Sequence, residues 1–158
     1  MNSGPVAPEL IVEKWFNAEA PITLAGLKGR PILIHAFQML CPGCVIHAIP
    51  QAQKISQALS KSDLAVIGLH TVFEHHEAMT PVSLEVFLHE FRVKFPVGLD
   101  KAGVGTPIPQ TMQAYQFRGT PSTVLIDREG KIRYQGFGQE EDLALGFHLG
   151  TLLSHSGD

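Results

Sequence analysis

Cys41 and Cys44 are the residues whose type and spacing most clearly allow chemistry, and the chain contains no other cysteine. A continuous apolar run over residues 32–37 precedes the pair, and a helix-like pattern over residues 45–59 follows it. Two thiols in the first turn of a helix are close enough to form a disulfide. The positive end of the helix dipole also stabilises a thiolate, the form of cysteine that attacks disulfides. The pattern therefore predicts a reversible redox pair.

A metal site is the first alternative, because a C-x-x-C pair is also half of a typical zinc site. The chain has no second such pair, but it has eight histidines. Three of them, His70, His75 and His76, fall in one segment and could bind a metal, although a polar solvated loop is the more common case. A purely structural disulfide is disfavoured, since so short a loop gains little from chain entropy. We expect no metal and no cofactor.

The composition is that of one ordinary globular domain. The 158 residues carry a net charge of −3 and no basic cluster, which argues against nucleic acid as a partner,. No apolar run is long enough to span a membrane. The first residues lack the regions of a signal peptide, so we expect a cytoplasmic protein, or a periplasmic one if a signal has been removed. Residues 1–8 are predicted to be a loose arm and residues 9–158 the domain.

Strand and helix patterns alternate along the domain. Apolar stretches predict strands at residues 10–16, 32–37, 64–69 and 95–99, and a hairpin of residues 122–126 and 131–134,. Helices are predicted over residues 45–59 with a kink at Pro50, residues 82–93 after Thr80 as N-cap and Pro81 as first residue, residues 110–115 and residues 140–153. This order predicts a three-layer α/β fold with helices on both faces of the sheet.

Three segments together carry a family resemblance: residues 32–44, residues 118–122 and residues 125–132. In them the chain resembles the thioredoxin superfamily, and most of all its TlpA-like and redoxin-type thiol–disulfide oxidoreductases. The resemblance implies a thioredoxin-like three-layer sandwich with a central mixed β-sheet. It also implies that the bond before Pro121 is cis and that this proline packs against the cysteine pair.

The resemblance further implies a thiol–disulfide oxidoreductase in which Cys41 is the attacking thiolate and Cys44 the resolving thiol. Its partners would be a protein that carries a disulfide or a dithiol, and an electron donor or acceptor. The residues expected to hold the substrate chain surround the pair: Pro42, Gly43, Thr120 and Pro121.

Two histidines stand where related proteins place acids. His35 lies six residues before the first cysteine, where thioredoxin has a buried acid, and His47 lies three residues after Cys44, where TlpA-like proteins often have Glu. Because histidine titrates near neutral pH, both are candidates for a proton relay at the pair. The alternative is a core histidine for His35 and a solvent-exposed one for His47.

Two other functions stay open at this point. In a peroxiredoxin-like thiol peroxidase, Cys44 would be the peroxidatic residue, but Phe37 and Cys41 then occupy the places of the Pro and Thr of that family. In a non-catalytic module, the pair would sense oxidation or hold a metal without turnover. The oxidoreductase interpretation is favoured over both.

Overall fold

A computed structural model of the protein describes residues 4–155. These residues form a six-stranded sheet. Its strands are β1 (Val12–Phe16), β2 (Ile32–Phe37), β3 (Ala65–His70), β4 (Val97–Asp100), β5 (Ser122–Ile126) and β6 (Ile132–Phe137). The α-helices of the described chain are α1 (Ile49–Ala58), α2 (Pro81–Glu90), α3 (Gln110–Tyr115) and α4 (Asp142–Ser154). No helix within this range has the length and apolar composition needed to cross a membrane.

The sheet has the order β1-β4-β3-β2-β5-β6 and is mixed. Strands β2, β3 and β4 run parallel to one another, whereas β1, β5 and β6 each pair antiparallel with a neighbour. In the register of β2 and β3, Phe37 lies opposite His70, so the two strands end at the same edge of the sheet. The segments that follow them, which include the cysteines, are therefore neighbours.

Apolar side chains fill both sides of the central strand, as expected for a strand without polar alternation. Leu33 and Phe37 of β2 pack with buried residues of α1, α2 and α4 on one face. Ile32, Ile34 and Ala36 pack with α3 and the N-terminal segment on the other face. The arrangement confirms the predicted three-layer α/β fold, with a central mixed sheet and helices on both faces.

The N-terminal segment contacts the sheet. Of the predicted loose arm, residues 1–3 lie outside the described residues. The Ala7 N–H donates to the Gly130 carbonyl oxygen at 2.9 Å, and the Ile132 N–H donates to the Pro5 carbonyl oxygen at 2.8 Å. The Pro8 carbonyl oxygen accepts the Tyr115 hydroxyl at 2.6 Å. These bonds do not fit a loose arm over residues 5–8, which behave as an extension of the sheet edge.

Helix α2 begins at the predicted cap. The Ser83 N–H donates to Thr80 Oγ1 at 3.2 Å, and the Thr80 N–H donates to Ser83 Oγ at 2.7 Å. Pro81 occupies the first helical turn, where its missing N–H costs nothing,. Two backbone donors at the helix start are thus satisfied by side chains, and Leu84 and Leu88 are held against the core,.

We expect Thr80→Ala to lower the free energy of unfolding by about 0.5–2 kcal/mol, because the Ser83 N–H loses its acceptor. Urea unfolding followed by far-UV circular dichroism measures the change. Val82→Ala is the matched control, since Val82 lies in the same turn and is 71% exposed. Equal unfolding midpoints for the two variants would show that the cap contributes nothing.

Candidate active site

A tight turn after β2 delivers Cys41 to the start of a helix. The Cys41 N–H donates to the Gln38 carbonyl oxygen at 3.1 Å, and the Val45 N–H donates to the Cys41 carbonyl oxygen at 3.0 Å. Helical geometry therefore begins directly after Cys41, with Pro42 in the first position, where proline is favoured,. This confirms the predicted order of strand, cysteine pair and helix.

The sulfur of Cys41 takes the role of a helix cap. The Cys44 N–H points at Cys41 Sγ from 3.4 Å, the contact that an N-cap oxygen makes in an ordinary helix,. The first backbone N–H groups of a helix lack partners, so a negatively charged acceptor at this place is stabilised by them. Cys41 Sγ is therefore the acceptor at the start of this helix.

The two sulfurs are in contact but differ in exposure. Both are free thiols, and their Sγ atoms lie 2.6 Å apart, with the Cys44 thiol donating to Cys41. Cys41 is half-buried, whereas Cys44 is 0% exposed. Burial, followed by the hydrogen bond to Cys41, raises the pKa of Cys44. Cys41 is thus the sulfur that a partner can reach, and Cys44 is a protonated thiol behind it.

The helix widens immediately after the cysteines. Residues Cys44–Ala48 form a π-helical turn, in which the Ile49 N–H donates to the Cys44 carbonyl oxygen five residues earlier. Pro50 explains the widening, since it has no N–H and its ring would clash with the carbonyl four residues back, at Ile46. The distortion predicted at Pro50 therefore appears one turn earlier, next to Cys44, and α1 continues from it.

The loop before β5 forms a wall of the site beside the pair. The Thr120–Pro121 peptide bond is cis, as predicted. The Thr120 carbonyl oxygen lies 3.6 Å from Cys41 Sγ. A Cβ atom on Gly43 would lie 3.7 Å from Pro121 Cδ, so the helix start packs against the proline ring. The structure thus brings together Cys41, Cys44, Gly43, Thr120 and Pro121, while Pro42 is exposed beside them.

His35 lies in the core, on the face of β2 that also carries Leu33 and Phe37,. It is 3% exposed and its ring stacks on Phe37 with centroids 5.7 Å apart. Its Nε2 has no hydrogen-bond partner among the described residues. Burial lowers the pKa of His35 to about 4, so its imidazole is neutral at neutral pH. A relay role for His35 stays a prediction.

His47 contacts the backbone of Glu140, a residue that sequence reasoning missed. His47 Nε2 donates to the backbone carbonyl oxygen of Glu140 at 3.1 Å, and Gln51 donates to the same oxygen at 2.8 Å. The Glu140 side chain accepts the Tyr134 hydroxyl at 2.7 and 2.8 Å. Glu140 Oε1 also fills the space where a Cβ on Gly136 would stand. Gly136 is the one local signal for this arrangement, and a relay role for His47 stays a prediction.

The expected loop position of His70 is wrong. His70 is the last residue of β3 and is 0% exposed, because β3 runs one residue further than its apolar run. Its Nε2 accepts the Met39 N–H at 3.1 Å. His75 and His76 are exposed on the following loop. Within residues 4–155, no three His, Cys, Asp or Glu side chains are placed to share a metal ion.

Gln38 is a second buried polar residue that the pattern did not reveal. It is 1% exposed and directly precedes the turn to Cys41. Its Oε1 accepts the Phe73 N–H at 3.1 Å, and its Nε2 donates to Glu74 Oε1 at 3.3 Å. The turn before the cysteines is therefore tied to the loop that follows β3.

Comparisons with known proteins agree with this geometry. The Redoxin family model matches residues 3–144. The protein DipZ of Mycobacterium bovis is 31% identical over 142 residues, which cover 88% of this chain and 19% of DipZ. The chain thus spans about a fifth of the length of that relative. The thiol-disulfide oxidoreductase ResA of Bacillus thuringiensis is 23% identical over 140 residues, covering 89% of this chain and 72% of ResA.

Solved structures include two that are similar over nearly the whole chain. A thioredoxin-like superfamily protein has a TM-score of 0.95 and 55% sequence identity, covering 98% of this chain and 100% of that one. A thiol-disulfide isomerase from Corynebacterium glutamicum has a TM-score of 0.90 and 50% identity, covering 94% and 97%. These similarities confirm the predicted thioredoxin-like fold.

The buried histidines predict a loss of stability in mild acid. His35 and His70 have pKa values lowered to about 4 by burial, against 6.5 for an exposed imidazole. The unfolded chain therefore binds more protons between these values, and stability falls as the pH is lowered from 6.5 towards 4. Since one pKa unit corresponds to about 1.4 kcal/mol, the loss is on the order of 3 kcal/mol per histidine.

Urea unfolding at several pH values between 7 and 4 measures this loss. We expect His35→Phe to remove roughly half of the dependence, because one of the two imidazoles is gone. His89→Gln is the control, since His89 is exposed on α2. The explanation is wrong if His35→Phe loses as much stability in acid as the parent protein.

Proposed function

Because the chain belongs to the Redoxin family, we propose that it is a thiol–disulfide oxidoreductase whose active residues are Cys41 and Cys44. The observation that carries the proposal is the contact of two free thiols with unequal exposure at the start of one helix. ResA is named for the same activity, and the similar Corynebacterium protein is named an isomerase of disulfides.

The reaction requires two exchanges of sulfur partners. The Cys41 thiolate attacks one sulfur of a substrate disulfide, which forms a mixed disulfide and releases the other substrate sulfur as a thiolate. Cys44 then loses its proton and attacks Cys41 Sγ. The Cys41–Cys44 disulfide forms, and the second substrate sulfur leaves. Two electrons pass from the pair to the substrate, and a dithiol donor returns them by the reverse sequence.

The substrate chain would lie along the Thr120–Pro121 wall. The Thr120 carbonyl oxygen is next to Cys41 Sγ, and backbone groups of an extended chain can pair with such an edge,. Pro42 and Gly43 follow the sulfur in the chain and are exposed. Leu40 and Phe137, which are 56% and 52% exposed, add an apolar rim. The partner is therefore a protein that presents a disulfide or a dithiol in an extended segment.

Cys44 sets the pH dependence of the second exchange. Burial raises the pKa of Cys44, so its thiolate is scarce at neutral pH and becomes more abundant as the pH rises. A base that accepts the proton would speed this step, and the sequence offers His35 and His47 as candidates. Burial also counts against Cys44 as a peroxidatic residue, because peroxide would have to pass Cys41 to reach it.

Thiol labelling tests the two roles. We expect alkylation of the reduced protein at pH 7 to be at least about tenfold faster at Cys41 than at Cys44, since a difference of one pKa unit changes the thiolate fraction tenfold. Mass spectrometry of the labelled peptides over time gives both rates. Faster labelling of Cys44 would overturn the assignment and favour the peroxidase alternative.

Trapping of the intermediate separates attack from resolution. In Cys44→Ser, Cys41 can attack but the mixed disulfide cannot be resolved, so the complex with a disulfide substrate should accumulate on non-reducing gels. The matched Cys41→Ser variant should form none. If both variants trapped substrate equally, the two cysteines would not have distinct roles.

The reduction potential of the Cys41–Cys44 pair bears on both the direction of electron flow and the compartment of the protein. Thioredoxin-type reductants have reduction potentials of about −270 mV, and strong oxidants have potentials of about −120 mV. A low reduction potential would support a role as a reductant, and a high one would support a role as an oxidant in an oxidising compartment. Equilibration with glutathione buffers of known potential gives the value.

A further inference from the structure

We propose that His70 is a positioning residue for Cys41, because its Nε2 accepts the Met39 N–H and so fixes the turn that presents the attacking sulfur. The inference rests on the proposed attack by Cys41. It gives a role to a buried histidine that touches neither cysteine.

The turn between β2 and the helix has few anchors of its own. One backbone bond, from the Cys41 N–H to the Gln38 carbonyl oxygen, closes it. The Met39 N–H lies inside this turn and points away from it, to His70 Nε2 at 3.1 Å. Met39 is 7% exposed and His70 is 0% exposed, so water does not replace this acceptor. The imidazole is therefore the partner that holds the middle of the turn.

The hydrogen bond specifies the protonation state of the ring. Nε2 can accept an N–H only through a free lone pair, so the proton of the neutral imidazole is on Nδ1. Burial keeps the ring neutral, since it lowers the pKa of His70 to about 4. The acceptor is thus available throughout the neutral range in which thiol–disulfide exchange proceeds.

The other ring nitrogen argues against a purely packing role. His70 Nδ1 is buried without a hydrogen-bond partner among the described residues. A buried donor without a partner costs about 1–3 kcal/mol. An apolar side chain beside Phe37 would avoid that cost, but it would leave the Met39 N–H without an acceptor. A histidine at this position therefore supplies the acceptor for the Met39 N–H, which an apolar side chain could not.

Two further hydrogen bonds, on either side of the His70 contact, hold the turn to the end of β3 and the loop after it. The Thr71 N–H donates to the Phe37 carbonyl oxygen at 3.1 Å. Gln38 Oε1 accepts the Phe73 N–H at 3.1 Å. The end of β3 and its following loop therefore hold the chain on both sides of Met39. Loss of the His70 bond would free the turn locally and leave the Thr120–Pro121 wall unchanged.

Paired substitutions test the role through kinetics. His70→Leu removes the acceptor, whereas His70→Gln keeps an oxygen that can accept the Met39 N–H. We expect His70→Leu to lower kcat and the rate of Cys41 alkylation about tenfold, the equivalent of one net hydrogen bond, with KM nearly unchanged. His70→Gln should recover most of both rates. His89→Leu, at an exposed position of α2, is the control.

A spectroscopic measurement tests the hydrogen bond without activity. In uniformly ¹⁵N-labelled protein, we expect a scalar coupling through the hydrogen bond between the Met39 amide nitrogen and His70 Nε2. Absence of the coupling in the folded parent protein would overturn the inference, even if His70→Leu did not fold. So would equal kcat values for His70→Leu, His70→Gln and the parent. If the coupling is present but the parent turns over no disulfide, the proposed function fails and the hydrogen bond stands.

Discussion

The start of the helix directly after Cys41 is the constraint on which the rest of the site depends. It places the Cys44 N–H 3.4 Å from Cys41 Sγ, and the same helical phase turns the Cys44 side chain into the core. The Cys41 sulfur therefore caps the helix and can be reached by a partner, whereas the Cys44 sulfur is buried and protonated. This asymmetry needs no special residue between the cysteines, because it follows from their spacing on one helical turn.

The same helix also anchors the site in the core. The π-helical turn over Cys44–Ala48 lets the chain pass Pro50 and continue into α1. Ile49 and Ala52 of that helix pack with Leu33 on the face of β2 that also buries Cys44. Because these residues share one packed cluster, the position of the resolving sulfur is coupled to the core. Displacing Cys44 would therefore require repacking of the cluster.

Features encoded by short-range patterns could be predicted from the sequence. The apolar run of β2, the cap of α2 and the helix after the cysteines each depend on residues close together in the chain. What could not be predicted depends on partners far apart: Met39 and His70 are 31 residues apart, and His47 and Glu140 are 93 apart. The apolar run of β3 ends at Leu69, so the sequence pattern assigned His70 to the loop that follows. Only the register of β2 and β3 puts its ring in the core.

The two sides of the site differ in the kind of group they offer. On the β5 side, Thr120 presents a backbone carbonyl oxygen, a group that any extended chain can meet. On the β3 side, the side chains of Gln38 and His70 hold the turn, and residues 74–78 are exposed next to it. Backbone pairing gives affinity without much selectivity, whereas side chains discriminate. We therefore expect the choice of partner to depend on the loop after β3 and on the apolar rim, and the exchange chemistry to depend on the helix start.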